Sequence, residues 1–284
     1  MNNSYKEKES NQIIKSTLYI VATPIGNLSD ISARALKMLS EVDFIAAEDT
    51  RVTGKLLAVY NIKKPMINYH EHNKILQGEY IAARLQSGDN CALVTDAGTP
   101  AISDPGTDII KMCIDRNINV INIPGPCAFI SALTVSGMDT DRFIFLGFFN
   151  KLSKDELEKL YLYEYTLIFY EAPHHLKKTL EQIKNLLGNR KITICRELTK
   201  INEEILRFSV EEAIEYYLHN EPRGEYVLIV GSGENNIELF WHKMTIVEHV
   251  NYYMENIGFN KNEAIKAAAR DRKITKNTIY KELI

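Results

Sequence analysis

Short apolar segments alternate with amphipathic helical patterns through the first half of the chain, and this alternation constrains the fold most strongly. A helical pattern follows every one of these segments. The segments are TLYIVA (17–22), DFIAA (43–47), MINY (66–69), NCALVT (90–95) and NVINI (119–123). Apolar strands separated by helices are typical of a parallel sheet that is covered on both faces. The sequence therefore predicts an N-terminal α/β domain over residues 17–137.

A second series of apolar segments begins near Arg142 and predicts a second α/β domain over residues 138–235. Its segments are FIFLGF, TLIFYEA, KITICREL, ILRFSV and EYVLIVG. Less helical sequence separates the last three, which favours a mixed sheet. After the turn-rich GSGENN only helical patterns remain, so residues 236–284 are expected to form a small helical appendage. The polar N-terminus, residues 1–16, is expected to be a flexible tail.

Composition indicates a soluble globular protein, with 45% hydrophobic and 25% charged residues. No run reaches the length of a membrane span, and no export signal opens the chain, so a cytoplasmic location without membrane contact is expected. Four cysteines without a CxxC pair favour reduced thiols over disulfides or a metal site; they are Cys91, Cys113, Cys127 and Cys195.

The net charge of −3 gives no general attraction to nucleic acid, but the charge is unevenly distributed. From Phe240 onward there are eight Lys/Arg against five Asp/Glu. This basic excess indicates either an anionic partner or simply a solvated helical face, and the pattern alone does not separate the two.

Three loops rich in Gly and Pro follow strands of the first predicted sheet: TPIGNL, DAGTPAISDPG and PGPCA. Any one of them could be a simple tight turn. Ligands of open α/β sheets bind beyond the carboxyl ends of the strands, so three such loops together predict a crevice lined by backbone. None of them is a phosphate-binding GxxxxGK[ST] loop or a GxGxxG loop after the first strand, and the chain has no GxSxG elbow.

Several segments of the sequence resemble those of a known family. The segments TLYIVATPIGNLSDISARAL, AAEDTR, YHEHN, VTDAGTPAISDPG, IPGPCA, TDRFIFLGF, IFYEAPHH and RELTK occur in this order between about Thr17 and Gly233. Together they resemble the ribosomal RNA small-subunit methyltransferase I family, within the tetrapyrrole methylase-like superfamily. The resemblance implies two α/β domains with S-adenosylmethionine in the cleft between them and no metal. It also implies a homodimer and 2′-O-methylation of a cytidine of 16S ribosomal RNA in the 30S subunit.

The resemblance also implies which residues bind the cofactor. Glycine permits close approach of the backbone to a ligand, and proline supplies fixed bends. The positions carried over are Ile25, Asp96, Ala97, Gly98, Thr99, Ile102, Cys127, Ala128, Glu171 and Tyr226. Asp96 could instead only cap a turn. Cys127 is expected to form part of the pocket wall rather than to act as a nucleophile.

The candidate residues around the methyl acceptor come from AAEDTR and NYHEHN, which end the second and third predicted strands. A ribose hydroxyl is a poor nucleophile at neutral pH, so the reaction needs alignment and usually a base. Glu48 or His72 is the candidate base, and Arg51 is the candidate phosphate contact. A helix N-cap in EDT and surface histidines are the structural alternatives, and an activated methyl donor could also react through positioning alone.

Two other functions compete with this interpretation. A tetrapyrrole C-methyltransferase would share the cofactor loops, although AEDTR and YHEHN argue against it. A non-catalytic nucleic-acid-binding protein would act through the appendage, whose pattern resembles a helix-turn-helix with Lys273, Lys276 and Lys281 near its last helix and Arg270 and Arg272 just before it. The appendage could equally be a structural cap.

Overall fold

The computed structural model describes residues 12–233, 241, 244–256, 259–272 and 274–283. The chain forms two compact units, Met1–Ser232 and Gly233–Ile284. The expected domain boundary at 235/236 and residues 1–11 of the expected tail lie outside the described residues, as does Lys273 of the appendage.

The first sheet has five parallel strands, and helices connect them. The strands are β1 (Thr17–Val21), β2 (Phe44–Ala47), β3 (Met66–Asn68), β4 (Cys91–Val94) and β5 (Asn119–Ile123), and the helices are α1 (Ala33–Glu41), α2 (Thr50–Val59), α3 (Lys74–Gln86), α4 (Thr107–Asp115) and α5 (Ala128–Ser136). The strand order is β3-β2-β4-β1-β5, with every pair parallel. The parallel sheet expected from the alternating pattern is confirmed.

Both faces of this sheet are buried at its centre. Successive residues of β1 point to opposite faces. Leu18 and Ile20 accordingly pack in one apolar cluster, and Tyr19 and Val21 pack in another. The coverage is less complete at the two edge strands, since β3 and β5 contain half-buried and exposed residues.

The second sheet is mixed, as the sequence predicts. Its strands are β6 (Phe143–Phe148), β7 (Thr166–Glu171), β8 (Lys191–Arg196), β9 (Glu204–Ser209) and β10 (Tyr226–Val230), and its helices are α6 (Lys154–Lys159), α7 (Pro173–Leu187) and α8 (Val210–His219). The strand order is β6-β7-β10-β8-β9. Only β6 and β7 are parallel, whereas β7/β10, β10/β8 and β8/β9 are antiparallel.

Local sequence explains where several helices begin. Ser32 caps α1 by accepting a hydrogen bond from the backbone N–H of Ala35. Ser209 and Glu212 form a reciprocal capping box at the start of α8. Pro173 begins α7, where the missing N–H of proline costs nothing.

The C-terminal unit contains three described helices, α9 (Ile246–Asn256), α10 (Lys261–Asp271) and α11 (Lys276–Glu282). Val250, Ile265 and Ile279, one from each helix, share a buried cluster, so the unit has a core of its own. Asn260 caps α10 in a capping box with Glu263.

Candidate functional site

Three loops meet at the carboxyl edge of the first sheet because β4, β1 and β5 are adjacent. Thr23, after β1, and Gly98, after β4, exchange two backbone hydrogen bonds of 2.8 and 3.1 Å. The hydroxyl of Thr99 donates to the carbonyl oxygen of Pro126, after β5, at 2.9 Å. The loops are rich in glycine and proline, and these hydrogen bonds connect them to one another.

The loop after β4 contains backbone conformations that L-residues rarely adopt. Gly98 has φ +83°, and the non-glycine residues Ala101 and Ser103 have φ of 67° and 65°. Glycine adopts such a conformation freely, whereas at Ala101 and Ser103 it costs on the order of 1–3 kcal/mol each, and strained residues of this kind cluster at ligand-binding segments. The density of Gly and Pro in this segment therefore reflects a strained and fixed loop rather than a simple connection.

A cavity of about 450 Å³ lies between these loops and the second sheet. This volume is within the range of small-molecule sites. All ten expected cofactor residues line the cavity, and so does Glu48; the ten are Ile25, Asp96, Ala97, Gly98, Thr99, Ile102, Cys127, Ala128, Glu171 and Tyr226. The sequence did not single out Asp104, Phe148, Tyr170, Leu198 and Lys200, which also line it.

Glu171 and Tyr226 line the cavity with side chains that are engaged elsewhere. The carboxylate of Glu171 accepts from the Thr179 hydroxyl at 2.5 Å and from the Ala172 N–H at 2.8 Å. The Tyr226 hydroxyl accepts from the Arg223 N–H at 3.0 Å. Both side chains are buried, so the backbone of these two residues is what they offer to a ligand.

The β8–β9 connection covers the loop after β1. A Cβ built on Gly26 would lie 2.8 Å from Thr199 Oγ1 and 3.0 Å from the carbonyl oxygen of Leu198. Contacts this close exclude any side chain larger than hydrogen at Gly26. Lys200, in the same connection, is held by Glu197 at 2.9 Å and Glu225 at 2.8 Å.

On the expected acceptor side, only Glu48 reaches the cavity. Asp49 caps α2 by accepting from the Arg51 N–H, so the structural alternative for EDT is present. Arg51 is exposed and pairs with Asp49, and this pairing lowers the pKa of Asp49 to about 2. His72 is exposed and stands 6.0 Å, ring to ring, from His70. Neither Arg51 nor His72 is among the lining residues.

Three carboxyl groups face the cavity with raised pKa values. Burial raises the pKa of Asp104 to about 7, and the charges of Glu48 and Asp96 contribute. Burial also raises the pKa of Glu48, assisted by the charge of Asp96. The pKa of Asp96 is raised by desolvation, which its hydrogen bond from the Asp49 N–H opposes. An acidic lining of this kind favours a cationic ligand.

The Cys127 thiol is not poised to act as a nucleophile. Burial raises its pKa, so the thiol stays protonated at neutral pH. All four cysteines are free. Within the described residues, no three His, Cys, Asp or Glu side chains are grouped so that they could hold a metal ion.

None of the described helices combines the length and the apolar character that crossing a bilayer requires.

Comparison with known proteins places these features in a family. Residues 17–214 match the family of Tetrapyrrole (Corrin/Porphyrin) Methylases. The chain is 46% identical to the Ribosomal RNA small subunit methyltransferase I of Halalkalibacterium halodurans, over 98% of this chain and 96% of that protein. It is also 46% identical to the protein of the same name from Bacillus subtilis, over 93% of this chain and 92% of that protein.

Solved structures show the same fold at low identity. A cobalt precorrin-4 methyltransferase of cobalamin biosynthesis is similar with a TM-score of 0.59 at 17% identity, covering 76% of this chain and 95% of that one. The uroporphyrin-III C-methyltransferase of Thermus thermophilus, complexed with S-adenosyl homocysteine, is similar with a TM-score of 0.56 at 16% identity. That match covers 76% of this chain and 97% of the other.

Proposed function

The chain belongs to the ribosomal RNA small subunit methyltransferase I family of the tetrapyrrole methylases, and on that basis we propose that it methylates the 2′-hydroxyl of a cytidine in 16S ribosomal RNA. The methyl donor is S-adenosylmethionine, which supplies an activated methyl group on a sulfonium cation. The observation that carries the proposal is the cavity in which all ten expected cofactor residues come together.

The residues of the cavity fit this donor. The bare backbone at Gly98 leaves room that a Cβ, 3.4 Å from Ile25 Cγ2, would reduce. The loops after β1, β4 and β5 provide backbone groups, and the carboxyl groups of Glu48 and Asp96 suit a cation. Lys200 is the lysine of the lining, and two glutamates already engage it. The site therefore favours a ligand with a positive centre over a polyphosphate.

On the acceptor side, we assign Glu48 to the acceptor's site and Arg51 to an RNA phosphate at its margin. Glu48 lines the cavity from the end of β2, and the exposed Arg51 lies in the first turn of the helix that follows. His72, the other expected catalytic residue, lies outside the cavity lining, so we assign it no role in the transfer step.

The C-terminal unit offers basic side chains for the ribosomal subunit. Lys261, Lys266, Arg270, Lys276 and Lys281 are exposed. Arg272 serves a different purpose, since its guanidinium donates to His249 Nδ1 and to three backbone carbonyls within the unit. RNA contact through the exposed lysines, rather than through Arg272, is therefore the proposal for this unit.

The proposal includes a homodimer in the cytoplasm. Ile130, Val135 and Phe143 are large apolar side chains that are 42%, 38% and 38% exposed, and they lie on α5 and at the start of β6. Exposed apolar side chains on adjacent elements are typical of an interaction surface. Light scattering should give twice the 32.5 kDa of one chain; the mass of a single chain would contradict the dimer.

Methyl transfer from tritiated S-adenosylmethionine tests the activity directly. We expect incorporation into 30S subunits that lack the modification, in a nuclease-resistant 2′-O-methylcytidine, and none into uroporphyrinogen. Transfer to uroporphyrinogen would identify a tetrapyrrole C-methyltransferase instead. Binding to RNA without any transfer would identify a non-catalytic protein.

A further inference from the structure

Asp104 is a cavity-lining carboxyl group to which neither the sequence nor the family resemblance assigns a role. It lies in the loop after β4, between Ser103, with φ 65°, and Pro105. The N–H of Ala101 donates to the carbonyl oxygen of Pro105 at 3.3 Å, and this bond closes the loop around Asp104. The strained backbone therefore fixes the position of a half-buried acid in the cavity wall.

The other four carboxyl groups of the lining, those of Glu48, Asp96, Glu171 and Glu225, are already engaged by backbone N–H groups or by Lys200. Asp96 Oδ1 accepts from the N–H of Asp49 at 3.2 Å. The N–H of Asp96 in turn stabilises the charged form of Glu48. Among the described residues, no hydrogen bond to the Asp104 carboxylate is found. Asp104 is thus the carboxyl group of the cavity whose oxygens remain available to accept a proton.

Resting on the proposed function, we propose that Asp104 is the group that accepts the proton of the ribose 2′-hydroxyl. In this step the 2′-oxygen forms a bond to the methyl carbon, and the carbon–sulfur bond breaks with its electron pair left on sulfur. The hydroxyl proton moves to a carboxylate oxygen of Asp104 and is later lost to solvent. No further reactant is needed.

The surroundings of Asp104 suit this role. Burial favours its protonated form most strongly, the negative charges of Glu48 and Asp96 add to this, and Lys151 opposes them. Tyr170 faces it from β7, and burial keeps that hydroxyl protonated. The resulting pKa of about 7 gives Asp104 both a populated charged form and useful basicity at neutral pH.

The pH dependence of the rate provides the first test, with Asp104→Asn compared with the wild type and with Asp108→Asn. Asp108 lies outside the cavity lining on α4 and pairs with Lys74 at 3.0 Å, so its replacement removes the same charge elsewhere. We expect the wild-type kcat/KM for 30S subunits to rise about tenfold per pH unit below about 7 and then level off. Asp108→Asn should follow it. The kcat/KM of Asp104→Asn should be about 10²–10⁴-fold lower than that of the wild type and should not rise near pH 7.

Two further measurements separate proton acceptance from cofactor binding and from folding. Calorimetry should give an affinity of Asp104→Asn for S-adenosylmethionine within about threefold of the wild type. In protein without cofactor, the wild type should lose thermal stability relative to Asp104→Asn as the pH rises from about 4 to 7. The reason is that the pKa of Asp104 is raised above its ordinary value of 3.8, so the unfolded chain gives up this proton first.

Each alternative outcome is distinct. An Asp104→Asn variant that keeps the wild-type rate, or the wild-type rise near pH 7, refutes the role of Asp104 while the proposed function stands. A loss of cofactor affinity greater than about threefold makes Asp104 a binding residue instead. A wild-type protein that does not methylate 30S subunits refutes the proposed function, and the proton-acceptor role with it.

Discussion

Replacing Gly98 with valine tests whether the loop after β4 holds the methyl donor. Two backbone hydrogen bonds to Thr23 fix this residue at φ +83°. A Cβ there would lie 3.4 Å from Ile25 Cγ2 and 3.9 Å from the carbonyl oxygen of Pro126, so it only just fits. The γ-carbons of valine extend one C–C bond of about 1.5 Å further, and they must press on Ile25 or enter the cavity.

The two physical effects of this substitution can be measured separately. An L-residue with left-handed φ costs about 1–2 kcal/mol, which should lower the melting temperature by a few degrees in a chain of this size. Crowding by the γ-carbons costs about 1–3 kcal/mol, and we expect this term to appear in cofactor binding. Since 1.4 kcal/mol is tenfold in affinity, S-adenosylmethionine should bind about 5- to 140-fold more weakly in calorimetry.

Gly137→Val is the matched control. Gly137 has φ +76° and nothing within 4 Å of a built Cβ, so valine there carries the backbone cost without crowding the cavity. We expect a similar fall in melting temperature and an unchanged cofactor affinity. If Gly98→Val binds S-adenosylmethionine as well as Gly137→Val does, the assignment of the loop after β4 to the donor is wrong.

Three further substitutions test other parts of the site. Arg51→Ala should lower methylation at limiting 30S subunits about three- to tenfold and reduce the salt slope of RNA binding by about 1, with cofactor affinity unchanged; an unaltered rate would contradict the phosphate contact. Tyr226→Phe should bind the cofactor within about twofold of the wild type, because the Arg223 N–H already engages the lost hydroxyl; a larger loss by calorimetry would place the hydroxyl in the site. Lys276→Glu combined with Lys281→Glu should lower 30S methylation at least about tenfold while a cofactor-binding assay stays unchanged, and full activity would remove RNA contact from the C-terminal unit.

The strands and the three loops rich in Gly and Pro could be predicted because their signals are local. A run of apolar residues or a cluster of Gly and Pro specifies its own backbone, whatever the rest of the chain does. The three loops come together because β1 lies between β4 and β5 in the sheet. No single segment of the sequence encodes this strand order. It followed from the general rule that ligands bind at the carboxyl edge of such sheets.

The wall contributed by the second sheet was harder to predict. Leu198 and Lys200 enter the cavity because the β8–β9 connection closes over Gly26, a contact between segments far apart in sequence. The directions of Glu171 and Tyr226 did have a local signal. Strand residues alternate between the two faces of the sheet, and Tyr170 and Val227 pack on the face opposite to Tyr226. The side chains of only one of these two faces can therefore point into the cavity.

Asp104 also had a local signal, since it belongs to the segment DAGTPAISDPG that most strongly indicated a ligand site. Its raised pKa depends on non-local facts, namely its burial in the assembled cavity and then the charge of Glu48, which lies at the end of β2 and lines the same cavity. A lone aspartate in a loop is normally ionised at neutral pH. Its proton affinity near neutrality is therefore a property of the assembled site.

The charge of the cavity lining also favours a proton acceptor inside the cavity. When the methyl group is transferred, the positive charge of the sulfonium disappears from a lining that holds Glu48, Asp96 and Asp104. If the hydroxyl proton left for solvent at that moment, these partly desolvated carboxylates would face one another with one counter-charge fewer, at a high electrostatic cost. A proton on Asp104 removes one negative charge as the positive charge is lost, so the net charge of the cavity does not change. An acidic lining thus favours binding of the cationic donor, and the proton affinity of Asp104 prevents the same lining from opposing the reaction.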